Sequence, residues 1–113
     1  NGVNCDRIGI CLDTGHANIY RHKPGEMVRA FGKKLFALHV NSNCSTIDEH
    51  LIPGIILPWC EKMNYDDFYA ALREIEFPGF FNMEISSTVL PKGCGEAYLT
   101  IAAAVARQMA DQV

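Results

Sequence analysis

The sequence predicts an α/β fold built on parallel strands, because three apolar runs each carry a metal-binding type of side chain at or near their end. The run Arg7 to Asp13 closes on Asp13 with His16 just beyond, Leu35 to Val40 carries His39, and Phe80 to Ile85 carries Glu84. A helix-like segment follows each. Polar chemistry at successive strand ends is how a parallel barrel builds an active site at one rim. Asp48, Glu49 and His50 stand in the connection after the second run, within reach of the same rim. This pattern points to a divalent cation and an enzymatic ancestry.

The elements follow in order. The first strand spans about Arg7 to Asp13. Pro24 sits where a first helical turn begins, with Val28, Phe31 and Leu35 at three- and four-residue spacing. The second strand, Leu35 to Val40, is nearly all apolar, as expected of a strand covered on both faces. A long loop rich in Asn, Ser, Pro and Gly runs from Asn41 to about Lys62, and connections of that length are more often functional than filler. Within it, Trp59, together with Tyr65 beyond, is expected to pack the loop against the body of the fold.

Asn64 then reads as a helix N-cap, with Asp66 and Asp67 in the first turn and Phe68, Ala71, Leu72 and Ile75 on one face. Pro78 and Gly79 end that helix before the third strand, Phe80 to Ile85. An Ala-rich helix from Glu96 to Asp111 closes the chain, with Ile101, Val105 and Met109 spaced by four. The order β–α–β–loop–α–β–α calls for a parallel sheet with right-handed crossovers.

The chain has 113 residues, 49% of them hydrophobic, enough for one globular unit over residues 1–113 and not for two. Formal charge is −3, and apart from Lys33 and Lys34 the cations are scattered. The absence of a basic stripe disfavours nucleic acid as a partner. No apolar stretch approaches the roughly 20 residues that span a membrane, and the N-terminus lacks the order of a secretory signal. Five cysteines (Cys5, Cys11, Cys44, Cys60 and Cys94) form no CxxC pair, and Cys11 inside a strand reads as a buried, reduced thiol. A reducing cytoplasm fits this usage.

Three apolar parallel strands leave two open edges, and such edges are normally covered or closed. A complete barrel of this type takes about 250 residues. The chain is therefore expected to be the C-terminal portion of a larger barrel, and to self-associate through its edges when isolated.

Residues 11–16 (CysLeuAspThrGlyHis), 38–43 (LeuHisValAsnSerAsn), 48–54 (AspGluHisLeuIleProGly) and 82–85 (AsnMetGluIle), in this order, resemble the xylose-isomerase-like barrel superfamily. It includes sugar-phosphate isomerases and epimerases and the metal-dependent apurinic endonucleases. The stretch from Trp59 through Tyr65 to Glu84 looks most like the isomerase and epimerase branch. The resemblance implies an incomplete TIM (β/α)8 barrel, its last three βα units only.

It also implies roles. Asp13 and His39 match metal ligands, and Glu84 matches a last-strand carboxylate that binds metal and exchanges a substrate proton. His16 matches a residue that contacts substrate in epimerases and zinc in endonucleases. Asp48 and His50 match further zinc ligands of the endonucleases. Two departures from the pattern stand out: Ser42 stands where an Asp often follows the histidine, and Ile55, Ile56 and Leu57 replace a glycine-containing continuation. A further metal-binding Glu of the family falls on strands outside these motifs.

Two carboxylates and an imidazole suit Mn²⁺, Mg²⁺ or Zn²⁺, and their mixed oxygen and nitrogen donors lean away from a thiolate-type site. A bland alternative exists at each position: capping for Asp13, a satisfied core imidazole for His39, a loop hydrogen bond for His16, and plain polar loop chemistry for Asp48 and His50. Glu84 is the hardest to explain blandly, since an unpaired carboxylate on a buried strand is costly. His22, between Arg21 and Lys23, reads as a solvated loop residue. The leading expectation is a metal-dependent sugar or sugar-phosphate isomerase or epimerase. The alternatives are a zinc-dependent phosphodiesterase using all six residues and an inactive partial barrel.

Overall fold

Three parallel strands, β1 (Ile10–Asp13), β2 (Leu35–Val40) and β3 (Phe81–Met83), lie side by side in chain order. This computed structural model describes residues 5–55, 58–88 and 90–113. Asp13 is level with His39, and His39 with Asn82, so the polar strand ends sit in one row. The first and third strands are shorter than the apolar runs predicted, and β2 has the expected bounds.

Alternation sorts each strand into two faces. Leu12, Leu38 and Val40 are buried against the helices, with Phe81 and Met83 packed alongside. Between them, Cys11, Ala37 and Asn82 are exposed. The expectation that β2 is covered on both faces is therefore corrected: one face is open, and that open face carries Asp13 and His39. Cys11 is corrected with it, from a buried thiol to an exposed one.

A register shift between Ile10 and Cys11 lets two residues of β2, Leu35 and Phe36, oppose one position of β1. Such a bulge re-aims side chains. Leu35 is thereby buried, and Phe36 stays half-exposed over Gly9, where a Cβ would fall 2.2 Å from its ring.

The helices follow local chemistry. α1 (Thr14–Ile19) was not anticipated as a separate element; it is only six residues long and uses Asp13, the last residue of β1, as its N-cap. α2 (Pro24–Phe31) starts with Pro24 in its first turn and runs into a single 3₁₀ turn, Gly32–Lys34. α3 (Tyr65–Glu74) is capped by Asn64, whose side chain accepts from the Asp67 N–H. α4 (Gly95–Ala110) buries Tyr98, Ala102 and Met109. Ile101 is exposed, because the buried row starts at Tyr98, whose hydroxyl accepts the Ile52 N–H.

Leu12, Val28, Leu35, Leu38, Val40, Phe68, Leu72 and Met109 make the main core between the sheet and the helices. A smaller cluster of Ile52, Tyr98 and Ala102 anchors the long loop to α4. Trp59 does not pack as expected and is 79% exposed, whereas Tyr65 does pack against the core. Cys44 and Cys60 form a disulfide, a pairing that the sequence spacing did not signal. Among the described residues no helix is long and apolar enough to cross a membrane.

Candidate metal centre

The open face of the sheet builds the site. Asp13 ends β1, His39 is the fifth residue of β2, and Glu84 follows β3 directly, with its N–H donating to the Val40 carbonyl. One ligand-type atom from each of the three lies within 4.8 Å of the others. His39 Nδ1 is 2.6 Å from Glu84 Oε2. That oxygen is nevertheless buried without a hydrogen-bond partner among the described residues. Two lone-pair groups held close, with no aligned proton between them, suit a shared cation better than a closed ion pair.

Asp13 has two jobs. Its Oδ1 accepts the His16 N–H at 2.8 Å, capping α1, and the Asn41 amide at 3.2 Å. The capping role considered for Asp13 is thus real, and it leaves Oδ2 3.7 Å from His16 Nδ1. The side chains of His39 and Glu84 are 42% and 41% exposed, which corrects the picture of Glu84 as a carboxylate on a buried strand.

A second group adjoins the first. Asp48 Oδ2 lies 3.0 Å from His16 Nε2 and 3.1 Å from His50 Nε2, and the three residues again cluster within 4.8 Å. The link between the groups is direct: His50 Nδ1 meets the Glu84 carbonyl at 3.0 Å. Desolvation works to raise the Asp48 carboxyl, but hydrogen bonds to His16 and His50 outweigh it and hold the group below its ordinary value. Desolvation likewise works to lower the His50 imidazole, and is overcome by the Glu84 carbonyl and Asp48. Partial desolvation, then the charges of Asp13 and Glu84, pushes the Cys11 thiol above its usual value although the residue is exposed, which disfavours a thiolate there. His22 is exposed, as expected.

All six candidate residues are therefore brought together, as two adjoining groups. Oxygen and imidazole nitrogen donors in each suit a divalent cation, the first group with two carboxylates and the second, with two imidazoles, leaning toward Zn²⁺ over Mg²⁺. A cavity of about 610 Å³ opens elsewhere, between the α1–α2 turn and the start of α3, and none of the six lines it. The site is a partly open shelf instead: the side chains of His39 and Glu84 are less than half exposed, and that of Asp13 is 14% exposed.

Sequence reasoning missed the residues that hold this shelf. Thr14 Oγ1 donates to the Asn41 carbonyl at 2.7 Å and accepts the Asn41 N–H at 3.1 Å. Asn43, fully buried, donates to the Gly15 carbonyl and accepts from Asn18 and from the Ser45 N–H. Gly15 is required by close approach: a Cβ there would fall 1.8 Å from Asn41 Oδ1. The signal was present in Thr14-Gly15 and in Asn41-Ser42-Asn43, small and amide residues directly after two strands. Ser42, one of the two departures, is buried and pairs with Leu51 in an antiparallel bridge. Of the other, Ile55 is exposed, while Ile56 and Leu57 lie outside the described residues.

A family model described as xylose isomerase-like TIM barrel matches residues 1–108. The chain belongs to that family. No curated protein matches the chain. The xylose isomerase-like barrels are largely enzymes, including isomerases, epimerases and endonuclease-like members, and often use divalent metals. The parallel α/β sheet with helices against one face agrees with a piece of such a barrel.

Proposed function

We propose that this chain supplies the metal-holding rim of a metal-dependent isomerase or epimerase acting on a sugar or sugar phosphate. In this reading residues 1–113 are one partial-barrel domain, the last three βα units. The observation that carries it is the convergence of Asp13, His39 and Glu84 from three adjacent parallel strands. These three hold a divalent cation, Mn²⁺, Mg²⁺ or Zn²⁺. When bound, the cation polarises a substrate carbonyl or hydroxyl.

Glu84 exchanges the proton on the carbon next to that carbonyl, as general base and then general acid. The His39 imidazole stands beside it, with Nδ1 2.6 Å from Oε2. His16, on α1 and half-exposed, contacts the substrate's polar groups. Asn41 and Asn43 orient Asp13 and the loop. A second carboxylate, from the strands that complete the barrel, works on the other side of the substrate carbon.

The small net charge and scattered cations favour a small polyol substrate over nucleic acid, which needs many Lys or Arg contacts to phosphate. The expected reducing cytoplasm has three free thiols in its favour and the Cys44–Cys60 disulfide against it. Phe36 and Phe80, exposed near the starts of β2 and β3, support self-association of the isolated chain. The second reading, a zinc-dependent phosphodiesterase, draws its support from the His16–Asp48–His50 group beside the first.

The test is deuterium exchange from D₂O into ketoses and ketose phosphates with Mn²⁺, measured on the complete barrel with Glu84 and with Glu84→Gln. Exchange that the variant loses supports the isomerase reading. No exchange, together with Zn²⁺-dependent cleavage of an abasic-site duplex, moves the assignment to the second reading.

A further inference from the structure

The disulfide between Cys44 and Cys60 spans the loop that carries Asp48 and His50. Residues 43–50 form a lobe closed at its neck by the mutual backbone hydrogen bonds of Ser42 and Leu51, both 2.8 Å. On one side the lobe is fastened to the end of β3: His50 Nδ1 meets the Glu84 carbonyl, and the Ser86 N–H donates to the His50 carbonyl at 2.9 Å. His50 itself holds a left-handed backbone, φ 50°, a conformation a non-glycine residue keeps only when its surroundings enforce it. On the other side stands the disulfide. The Cys44 N–H donates to Glu49 Oε2 at 2.7 Å, so the position of Cys44 is passed to the residue next to Asp48. Cys60 belongs to residues 58–62, which form neither strand nor helix.

We propose that the Cys44–Cys60 disulfide is a redox clamp on this lobe, whose reduction by a small dithiol loosens Asp48 and weakens the His16–Asp48–His50 group. The Asp13–His39–Glu84 group stays in place, because its three residues come from the strands. The metal-binding half of the proposal rests on the reading above. Both cysteines are partly exposed and thus open to attack. A thiolate of the dithiol attacks one sulfur to give a mixed disulfide, and the second thiolate closes the reagent into a cyclic disulfide. Two electrons pass to the protein, and Cys44 and Cys60 each end as a thiol. The remaining hydrogen bonds of Asn43 and His50 keep the lobe attached, so it loosens rather than unfolds.

The experiment compares the oxidised chain, the chain reduced with a dithiol and desalted anaerobically, and Cys60→Ser. Each is followed by amide hydrogen exchange and by Mn²⁺ titration. The clamp predicts faster exchange at Cys44, Ser45 and Glu49 in the reduced and Cys60→Ser forms, with β2 amides unchanged. It also predicts roughly tenfold weaker Mn²⁺ binding at one of two sites, the usual scale when groups that orient metal ligands are lost. Equal lobe exchange in all three forms overturns the clamp, whatever the titration shows. Loss of lobe protection without Mn²⁺ binding in any form upholds the clamp and sinks the metal reading. Two-site binding of equal strength in all forms overturns the link from the lobe to Asp48.

Discussion

Glu84 Oε2 and His39 Nδ1 approach to 2.6 Å from the ends of adjacent parallel strands, and the carboxylate oxygen still has no hydrogen-bond partner among the described residues. The two are neighbours because β2 and β3 are in register, Val40 opposite Met83, which sets the residue after β3 beside the end of β2. Their arrangement serves ligand geometry more than stability. Glu84→Gln should therefore change the thermal midpoint little, while reducing Mn²⁺ affinity at this group by at least tenfold. Melting curves and calorimetric titration of the same samples check both halves.

Gly15 sets the distance between α1 and the start of the long loop. Gly15→Ala places a Cβ against the buried Asn41 Oδ1 and 2.9 Å from Asn43 Nδ2. Overpacking of this kind costs about 1–3 kcal/mol. Denaturant unfolding should show that loss, and Asp13, bonded to the Asn41 amide, should lose metal affinity with it.

Phe68 is 1% exposed and meets Phe81 edge-on across the junction of α3 and the sheet. Phe68→Ala opens a cavity in the main core, at a cost of about 3–5 kcal/mol. In a chain this small such a loss removes most of the stability, so the variant should unfold at a much lower denaturant midpoint.

Two groups outside the site contribute to the pH dependence of stability. Hydrogen bonds from Arg29 hold the Glu74 carboxyl below its ordinary value, against desolvation. A depressed carboxylate supports stability above its unfolded value of 4.5 and loses that support as pH falls through the folded value. Glu74→Gln should flatten the acid side of the stability profile. Burial pushes the Tyr65 hydroxyl from 10.0 up to about 12, so its support is complete below pH 10 and disappears as pH rises toward 12. Tyr65→Phe should remove that alkaline loss, read from denaturant midpoints between pH 9 and 12.

Much of this was legible in the chain because the chemistry is local. Asn64 capped α3, Pro24 began α2, and Leu35 to Val40 was strand throughout, each as its own residues dictate. The six candidate residues were legible because polar groups at strand ends share a rim whatever the loops do. What could not be read depends on partners distant in sequence. α1 is too short to show a period, and its cap was already counted as the end of a strand. The bulge at Leu35–Phe36 reverses which face is buried without any change in composition. Cys44 and Cys60 meet only through the path of the loop, and it is Ile52, not the exposed Trp59, that anchors that loop to α4.

The central claim is that three strand ends converge on one cation. Calorimetric titration of Mn²⁺ and Zn²⁺ into the metal-stripped chain, beside Asp13→Ala/Glu84→Ala, tests it most directly. Saturable binding by the wild type, with the site of the three strand ends lost in the folded double variant, is the predicted result; any binding left over belongs to the His16–Asp48–His50 group. Equal binding by both, or no binding by a folded wild type, would contradict it.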